Sequence, residues 1–222
     1  MPIAVALDGP AGAGKSSIAK KAAKALDYIY IDTGALYRTI GLAAARRNVE
    51  PIPSNEVEKL LSEIKVDLTF NEQGEQIVLL DNEDVSGLIR TPEASMMASK
   101  ISAIPAVRAY LLDLQRSMAK SQNVIMDGRD IGTVVLPDAQ VKIFLTASPE
   151  VRAERRYKEL VEKGMNVNYD DILNDVIERD YNDTHRETAP LKPADGCIIV
   201  NTTDIDFEQS VEKIISVIKE NV

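Results

Sequence analysis

A stretch near the amino terminus carries residue types that bind phosphate. Gly9, Gly14, Lys15 and Ser16 fit the spacing Gly-x4-Gly-Lys-Ser/Thr, between the apolar run 3–7 and a run rich in Ala and Lys. Such a loop turns its backbone N–H groups toward phosphate oxygens at the positive end of a helix dipole. We predict that Lys15 reaches the outer phosphates of a nucleotide and that the Ser16 hydroxyl ligates Mg²⁺. The residues expected to contact the nucleotide are Gly9, Pro10, Ala11, Gly12, Ala13, Gly14, Lys15, Ser16 and Ser17.

Arginines follow the ends of two further predicted strands. Arg38 lies one turn into the helix after the apolar run 28–31, and Arg129 directly follows the run 124–127. The carboxyl ends of parallel strands meet at the edge of the sheet where ligands bind. Planar guanidinium groups bind phosphate through two hydrogen bonds. We therefore expect both arginines to hold an anionic acceptor, with surface ion pairs as the alternative interpretation.

A second group of arginines falls on two predicted helices joined by a loop that contains Gly164. A solvated basic face would explain their spacing. A mobile lid over residues 152–186 would also explain it, because lid closure would bring guanidinium groups to a γ-phosphate and exclude water. The members of this group are Arg152, Arg155, Arg156, Arg179 and Arg186.

The predicted nucleotide site has no obvious group to activate a hydrolytic water. Asp127 ends the strand expected on the Mg²⁺ side, where it would hold the ion through water, and no Glu follows it. Neither an Asn-Lys-x-Asp guanine-reading segment nor a transport-ATPase signature occurs in the chain. This favours phosphoryl transfer to a bound acceptor, which depends on positioning and charge neutralisation. A slow regulatory NTPase that signals through a partner, and a non-catalytic nucleotide-binding module, remain alternatives.

Short apolar runs alternate with helical patterns along most of the chain, which predicts an α/β fold with a parallel sheet covered by helices on both faces. Thr33 is the predicted N-cap of a helix over 35–47. The segments 66–70 and 76–80 predict a β-hairpin, with a short third strand near 83–85. This departure from the alternation indicates a small inserted subdomain over about 48–105. The runs assigned to the parallel sheet are 3–7, 28–31, 124–127, 141–145 and 197–201.

Length and charge exclude several classes of protein. The chain has 222 residues and a net charge of −9, which predicts one domain over 1–222 and no general affinity for nucleic acid or an anionic membrane. It lacks an apolar run of the ~20 residues that a membrane span needs and a cleavable leader pattern, so we expect a cytoplasmic protein. Cys197 is expected in a buried strand and His185 on the surface of the lid region.

Four segments together resemble the bacterial cytidylate kinases, members of the nucleoside monophosphate kinase group within the P-loop fold. They read DGPAGAGK over 8–15, DTGALYR over 32–38, DGRDIGTVV over 127–135 and ERD over 178–180. The resemblance covers nearly the whole chain. It implies a five-stranded sheet in the order 2-3-1-4-5, an inserted subdomain that binds the monophosphate, a helical lid and a monomer. Ser16-Ser17 stands where the family often has Gly-Thr or Ser-Thr, which leaves open which serine meets Mg²⁺.

The resemblance also implies a reaction, in which the γ-phosphoryl of MgATP passes to CMP or dCMP. A kinase of the same fold acting on UMP, AMP or shikimate is the nearest alternative, although the inserted hairpin argues against the small metabolite kinases. The implied catalytic residues are Lys15, Arg129, Arg156 and Arg179. The implied acceptor contacts are Ser99, Arg108 and Asp130 for the base, Arg38 and Arg129 for the phosphate with Thr33 nearby, and Arg179 and Asp183 for the sugar, with Arg186 also facing the acceptor.

Overall fold

The computed structural model describes residues 2–222, and its helices and strands follow the predicted alternation. In chain order the elements are β1 (Ala4–Asp8), α1 (Lys15–Leu26), β2 (Ile29–Asp32), α2 (Thr33–Arg46), α3 (Asn55–Glu63), β3 (Val66–Phe70), β4 (Gln76–Leu80), β5 (Glu83–Asp84), α4 (Pro92–Ile101), α5 (Pro105–Met118), β6 (Val124–Gly128), a π-helix (Ile131–Val135), β7 (Val141–Thr146), α6 (Pro149–Glu162), α7 (Tyr169–His185), β8 (Ile198–Asn201) and α8 (Phe207–Glu220).

The main sheet has five parallel strands in the order β2-β6-β1-β7-β8. Counted along the chain within this sheet, that order is 2-3-1-4-5, so the predicted fold class is confirmed. Every residue of the central strand β1 is buried, because helices cover both faces. Val5 and Leu7 pack in the cluster that contains α1 and α8, while Ala6 packs with Met126 and the π-helix on the other face. This arrangement brings the carboxyl ends of β1, β2 and β6 to one edge.

The inserted hairpin forms a separate three-stranded antiparallel sheet, β3-β4-β5. β3 and β4 pair with Val66 opposite Leu80 and Phe70 opposite Gln76, and the predicted short third strand is β5. Apolar residues of this sheet share one core with α2, α3, α4 and α5. The hairpin is therefore fixed on the helices that follow β2 and precede β6.

Helices α6 and α7 pack against one another through a small apolar cluster that includes Ala153, Leu160, Ile172 and Val176. Gly164 takes a φ of 75° in the loop after α6. Asn168 caps α7 by accepting hydrogen bonds from the N–H groups of the second and third residues that follow it. The predicted helix-loop-helix is confirmed, and α7 ends at His185.

Two local predictions were wrong. Asp32, and not Thr33, is the N-cap of α2, because β2 continues to Asp32 and its side chain accepts the N–H of Ala35. Cys197 is half-buried and precedes β8, which is an edge strand. Within residues 2–222, no helix combines the length and the apolar character that crossing a membrane requires.

Candidate active site

The predicted phosphate loop connects β1 to the first residue of α1. Gly9, Gly12 and Gly14 all have positive φ, at 149°, 72° and 83°. Gly14 is the N-cap of α1, so no side chain occupies the first N–H groups of this helix. These N–H groups need partners and carry the positive end of the helix dipole. The loop therefore has the geometry to bind an anion, as its sequence predicts.

Gly9 is the position where the loop tolerates no side chain. A Cβ at this residue would lie 1.9 Å from the backbone oxygen of Leu145, at a φ that L-residues rarely adopt. We expect Gly9→Ala to lower the free energy of unfolding by at least about 3 kcal/mol, measured by urea denaturation. The control is Gly196→Ala, where φ is 72° and no atom lies within 4 Å of the added Cβ. Equal losses in the two variants would show that the collision with Leu145 has no effect.

Lys15 is 5 % exposed and lies folded onto the loop. Its Nζ donates a hydrogen bond to the carbonyl oxygen of Pro10 at 2.8 Å. Burial, followed by the nearby charge of Arg129, lowers the pKa of Lys15 to about 7, against the opposing effect of Asp127 and Asp8. An amine removed from water in this way gains more from an incoming anion than an exposed amine would.

The oxygens beside the loop fit a magnesium ion. The Tyr30 hydroxyl donates to Asp127 Oδ2 at 2.9 Å. Burial and the charge of Asp32 raise the pKa of Asp127, while Lys15 and a hydrogen bond with Ser16 lower it, so Ser16 is the serine found beside this carboxyl. Residues 2–222 contain no cluster of three or more acidic, His or Cys side chains that could enclose a metal. A hydroxyl and a carboxylate suit Mg²⁺, which retains water and takes phosphate oxygens as ligands.

Asp8 holds the segment that follows β6. Its two carboxylate oxygens accept hydrogen bonds from the N–H groups of Ile131 and Gly132, both at 2.7 Å. These are the first two residues of the π-helix, which begins immediately after Arg129 and Asp130. Burial raises the pKa of Asp8 to about 6, against the lowering effect of these two hydrogen bonds. These contacts give Asp8 a positioning role for the 129–130 segment.

The pKa of Asp8 predicts a dependence of stability on pH. Because this pKa is about 6 when folded and ordinarily 3.8, the folded chain holds a proton that the unfolded chain releases between about pH 4 and 6. Stability from this group is complete below pH 4 and is lost as pH rises through 6. Urea denaturation should show the wild type losing about 3 kcal/mol relative to Asp8→Asn between pH 4 and 7. Parallel curves for the two proteins would contradict this assignment.

The charges of Arg38, Arg129 and Arg156 each lower the pKa of Arg179, and these four predicted arginines are called the arginine cluster. Arg38 Nη2 donates to Asp32 Oδ2 at 2.6 Å, and Arg129 Nε donates to Asp183 Oδ2 at 3.0 Å. Burial, followed by the charge of Arg129, lowers the pKa of Arg179 to about 10. The Nε atoms of Arg38 and Arg179 are buried without a hydrogen-bond partner among the described residues. The cluster therefore has more positive charge and more N–H donors than its own side chains satisfy.

A second polar group surrounds Asp130. Arg108 Nη2 is paired with Asp130 Oδ2, and Arg186 Nη2 lies 3.7 Å from Asp130 Oδ1. Arg186 Nη1 donates to Ser102 Oγ at 3.4 Å, and Ser102 Oγ donates to the carbonyl oxygen of Ser99 at 3.0 Å. Burial raises the pKa of Asp130 although both arginines lower it. Arg108, Asp130 and Arg186 thus lie together beside the arginine cluster, while Ser99 takes part only through its backbone carbonyl oxygen.

Thr33 and Asp183 also lie at this site. Thr33 Oγ1 donates to the carbonyl oxygen of Asp127 at 2.8 Å, which ties the start of α2 to the end of β6. Asp183 is buried and forms an ion pair with Arg129, so α7 contributes directly to the surroundings of the arginine cluster. Elements that are distant along the chain therefore converge on the predicted edge of the sheet.

Two arginines of α6 are held by the protein, which disagrees with the solvated basic face, one of the two interpretations of their spacing. Arg152 is 2 % exposed, donates to the carbonyl oxygens of Ala147 and Ala11 at 2.9 Å, and pairs with Asp180. Arg155 donates to the carbonyl oxygen of Thr202 at 2.8 Å. Arg156 pairs with Glu159 on the surface, and its charge also lowers the pKa of Arg179. Arg152 and Arg155 are engaged because they face the phosphate loop and the ends of β7 and β8, which helical spacing alone does not show.

Several residues at the site have no role in the sequence prediction. Tyr30 holds Asp127, Asp180 holds Arg152, and Ser102 joins Arg186 to Ser99. Their positions follow from tertiary contacts, so no spacing signal indicates them. Asp32 has one such signal, because an Asp that directly precedes a helix is a preferred N-cap.

Comparison with known proteins gives one family. The family model described as cytidylate kinase matches residues 5–220. The cytidylate kinase of Thermosipho melanesiensis is 47 % identical over 220 residues, which cover 99 % of this chain and 98 % of the relative. That of Caldicellulosiruptor saccharolyticus is 50 % identical over 218 residues, covering 96 % and 94 %. An uncharacterised protein from Eubacterium ventriosum shares the fold, with a TM-score of 0.52 and 14 % identity over 99 % of each chain. The match of the family model over nearly the whole chain and the identities of these relatives show that the chain belongs to the cytidylate kinase family.

Proposed function

We propose that the chain transfers the γ-phosphoryl of MgATP to CMP or dCMP, giving ADP and CDP or dCDP. The observation that carries this proposal is the pairing of an anion-binding loop with the arginine cluster. Lys15 donates a hydrogen bond to a carbonyl oxygen of the loop, and the buried Nε atoms of Arg38 and Arg179 have no partner among the described residues. Two phosphate-bearing ligands, one in the loop and one at the cluster, would supply the missing acceptors.

The donor side consists of the phosphate loop, Lys15 and the oxygens near Asp127. The N–H groups over 9–17 bind the phosphates of ATP, and Lys15 leaves the Pro10 carbonyl to contact the outer phosphates. Ser16 would ligate Mg²⁺ and Asp127 would hold it through water, an arrangement that is supported by their proximity. When bound, Mg²⁺ neutralises charge on the β- and γ-oxygens.

The acceptor side contacts the phosphate, the sugar and the base of a cytosine nucleotide. Thr33, Arg38 and Arg129 hold its phosphate, while Arg179, Asp183 and Arg186 face its sugar. Asp130 accepts a hydrogen bond from the exocyclic amino group of cytosine. Arg108 and Ser99 contact the carbonyl and ring-nitrogen edge of the base. Uracil places a carbonyl where cytosine has the amino group, which would leave the buried Asp130 carboxylate facing an acceptor.

Transfer needs charge neutralisation more than a general base. Lys15, Arg129, Arg156 and Arg179 stabilise the charge of the transferring phosphoryl group as it moves in line between the two nucleotides. The lid over 152–186 excludes water, and the inserted subdomain over 48–105 closes on the monophosphate. We place the enzyme in the cytoplasm as a monomer.

Acceptor-dependent ADP release tests this proposal. The purified protein is given MgATP with CMP, dCMP, UMP, AMP, GMP or shikimate in separate reactions. The highest kcat/KM is expected for CMP and dCMP. A higher value for another acceptor would overturn the base assignment, and equal ADP release without any acceptor would indicate a regulatory NTPase.

A further inference from the structure

The side chain of Gln76 makes the hydrogen bonds that a neighbouring strand would otherwise make to one residue of the main sheet. Gln76 Oε1 accepts the N–H of Asp32 at 2.8 Å, and Gln76 Nε2 donates to the carbonyl oxygen of Asp32 at 3.1 Å. β2 is an edge strand, so these Asp32 backbone groups have no strand beside them on the outer side. One carboxamide from the inserted hairpin therefore satisfies both groups.

Asp32 in turn determines where Arg38 points. Its Oδ1 accepts the N–H of Ala35 at 3.1 Å, and its Oδ2 accepts Arg38 Nη2 at 2.6 Å. A Cβ on Gly34 would lie 3.0 Å from Asp32 Oδ1 and 3.1 Å from Arg38 Nη1, so the pair is tightly enclosed. Rotation of the Asp32 backbone would move the carboxylate that orients Arg38.

Gln76 is not needed merely to attach the inserted hairpin to the main sheet, because a neighbouring residue already makes such a contact. Glu75 and Lys20 form an exposed ion pair at 2.7 Å that already joins the same turn to α1. By contrast, the two Gln76 hydrogen bonds are directed at one residue of the site. We infer that Gln76 is a positioning residue, through which the inserted hairpin sets Asp32 and thereby Arg38 for the phosphate of the acceptor. This inference rests on the proposed function for the role of Arg38.

Gln76→Met tests the inference because methionine keeps the approximate length of the side chain and removes both hydrogen bonds. We expect kcat/KM for CMP to fall about tenfold, while the KM for ATP stays within about twofold. Hydrogen exchange at the Asp32 amide should become faster. Gln76→Glu, which can accept but cannot donate, is expected to lose at least as much. The matched control is Glu75→Gln, which weakens the Lys20 pair and should leave the kinetics for CMP unchanged.

A double-mutant cycle separates positioning from general stability. If Gln76 acts through Arg38, then Gln76→Met should cause little further loss of kcat/KM for CMP in an Arg38→Met background. Equal losses in both backgrounds, or a lower Tm with unchanged kinetics for CMP, would overturn the inference. Failure of the proposed function is distinct, because the wild-type protein itself would then fail to phosphorylate CMP.

Discussion

Replacing Lys15 with methionine is expected to lower kcat for phosphorylation of CMP by about 1,000-fold. Lys15 carries a buried ammonium group at the phosphate loop, and its charge is removed from water before ATP arrives. A preorganised charge in a dry site stabilises developing negative charge strongly. Steady-state kinetics with a coupled ADP assay measures the loss.

The folded state should survive this replacement. Because the pKa of Lys15 is about 7 when folded and ordinarily 10.5, the unfolded chain binds its proton more strongly. The stability linked to this group therefore rises with pH from about 7 to 10.5, and the charged amine destabilises the fold below pH 7. Lys15→Met should accordingly gain stability relative to wild type most clearly at low pH. The control is Lys24→Met, on the exposed side of α1. If the kcat of Lys15→Met were within tenfold of the kcat of Lys24→Met, the catalytic role of Lys15 would be refuted.

Replacing Arg179 with methionine is expected to lower kcat/KM for CMP by about 100-fold or more. Arg179 is surrounded by the other members of the arginine cluster, and its Nε has no partner among the described residues. An anionic ligand that binds at the cluster would supply the acceptor that this Nε lacks. The same reasoning predicts that the free variant is at least as stable as wild type, since like-charge repulsion with Arg129 is removed.

Thermal unfolding separates these two effects. In the wild type, a non-hydrolysable ATP analogue with Mg²⁺ and CMP should raise Tm, because ligands that bind only the folded state stabilise it. Arg179→Met should begin from an equal or higher Tm and show a smaller rise. Arg47→Met, which removes an exposed pair with Glu63, provides the matched control. An Arg179 variant with the ligand-induced rise and kcat/KM of the wild type would argue against its role.

The fold could be predicted largely from sequence because its signals are local. Buried strands of the main sheet read as short apolar runs, and the inserted hairpin differs from them by its turn residues around Gly74. The cap of α2 shows the limit of such reasoning. Asp32 and Thr33 are both acceptable N-caps by type, and the choice follows from the pairing of Asp32 with Asp127 in the sheet.

The remaining parts of the site depend on contacts between distant segments. Helical spacing places Arg152, Arg155 and Arg156 on one face, but it does not show that the phosphate loop lies opposite Arg152. The π-helix after Asp130 depends on Asp8 at one end and on Arg116 at the other, where Arg116 donates to the carbonyl oxygens of Val134 and Val135. Gln76 contacts Asp32 across 44 positions of sequence, so no local pattern indicates it.

The fate of the γ-phosphoryl group tests the central claim most directly. ATP labelled at the γ-phosphate would be incubated with Mg²⁺, the purified protein and CMP, and the labelled products separated and counted. We predict one labelled CDP for each ADP formed and negligible label in inorganic phosphate. Label that accumulates in inorganic phosphate at the same rate with or without CMP would contradict the account.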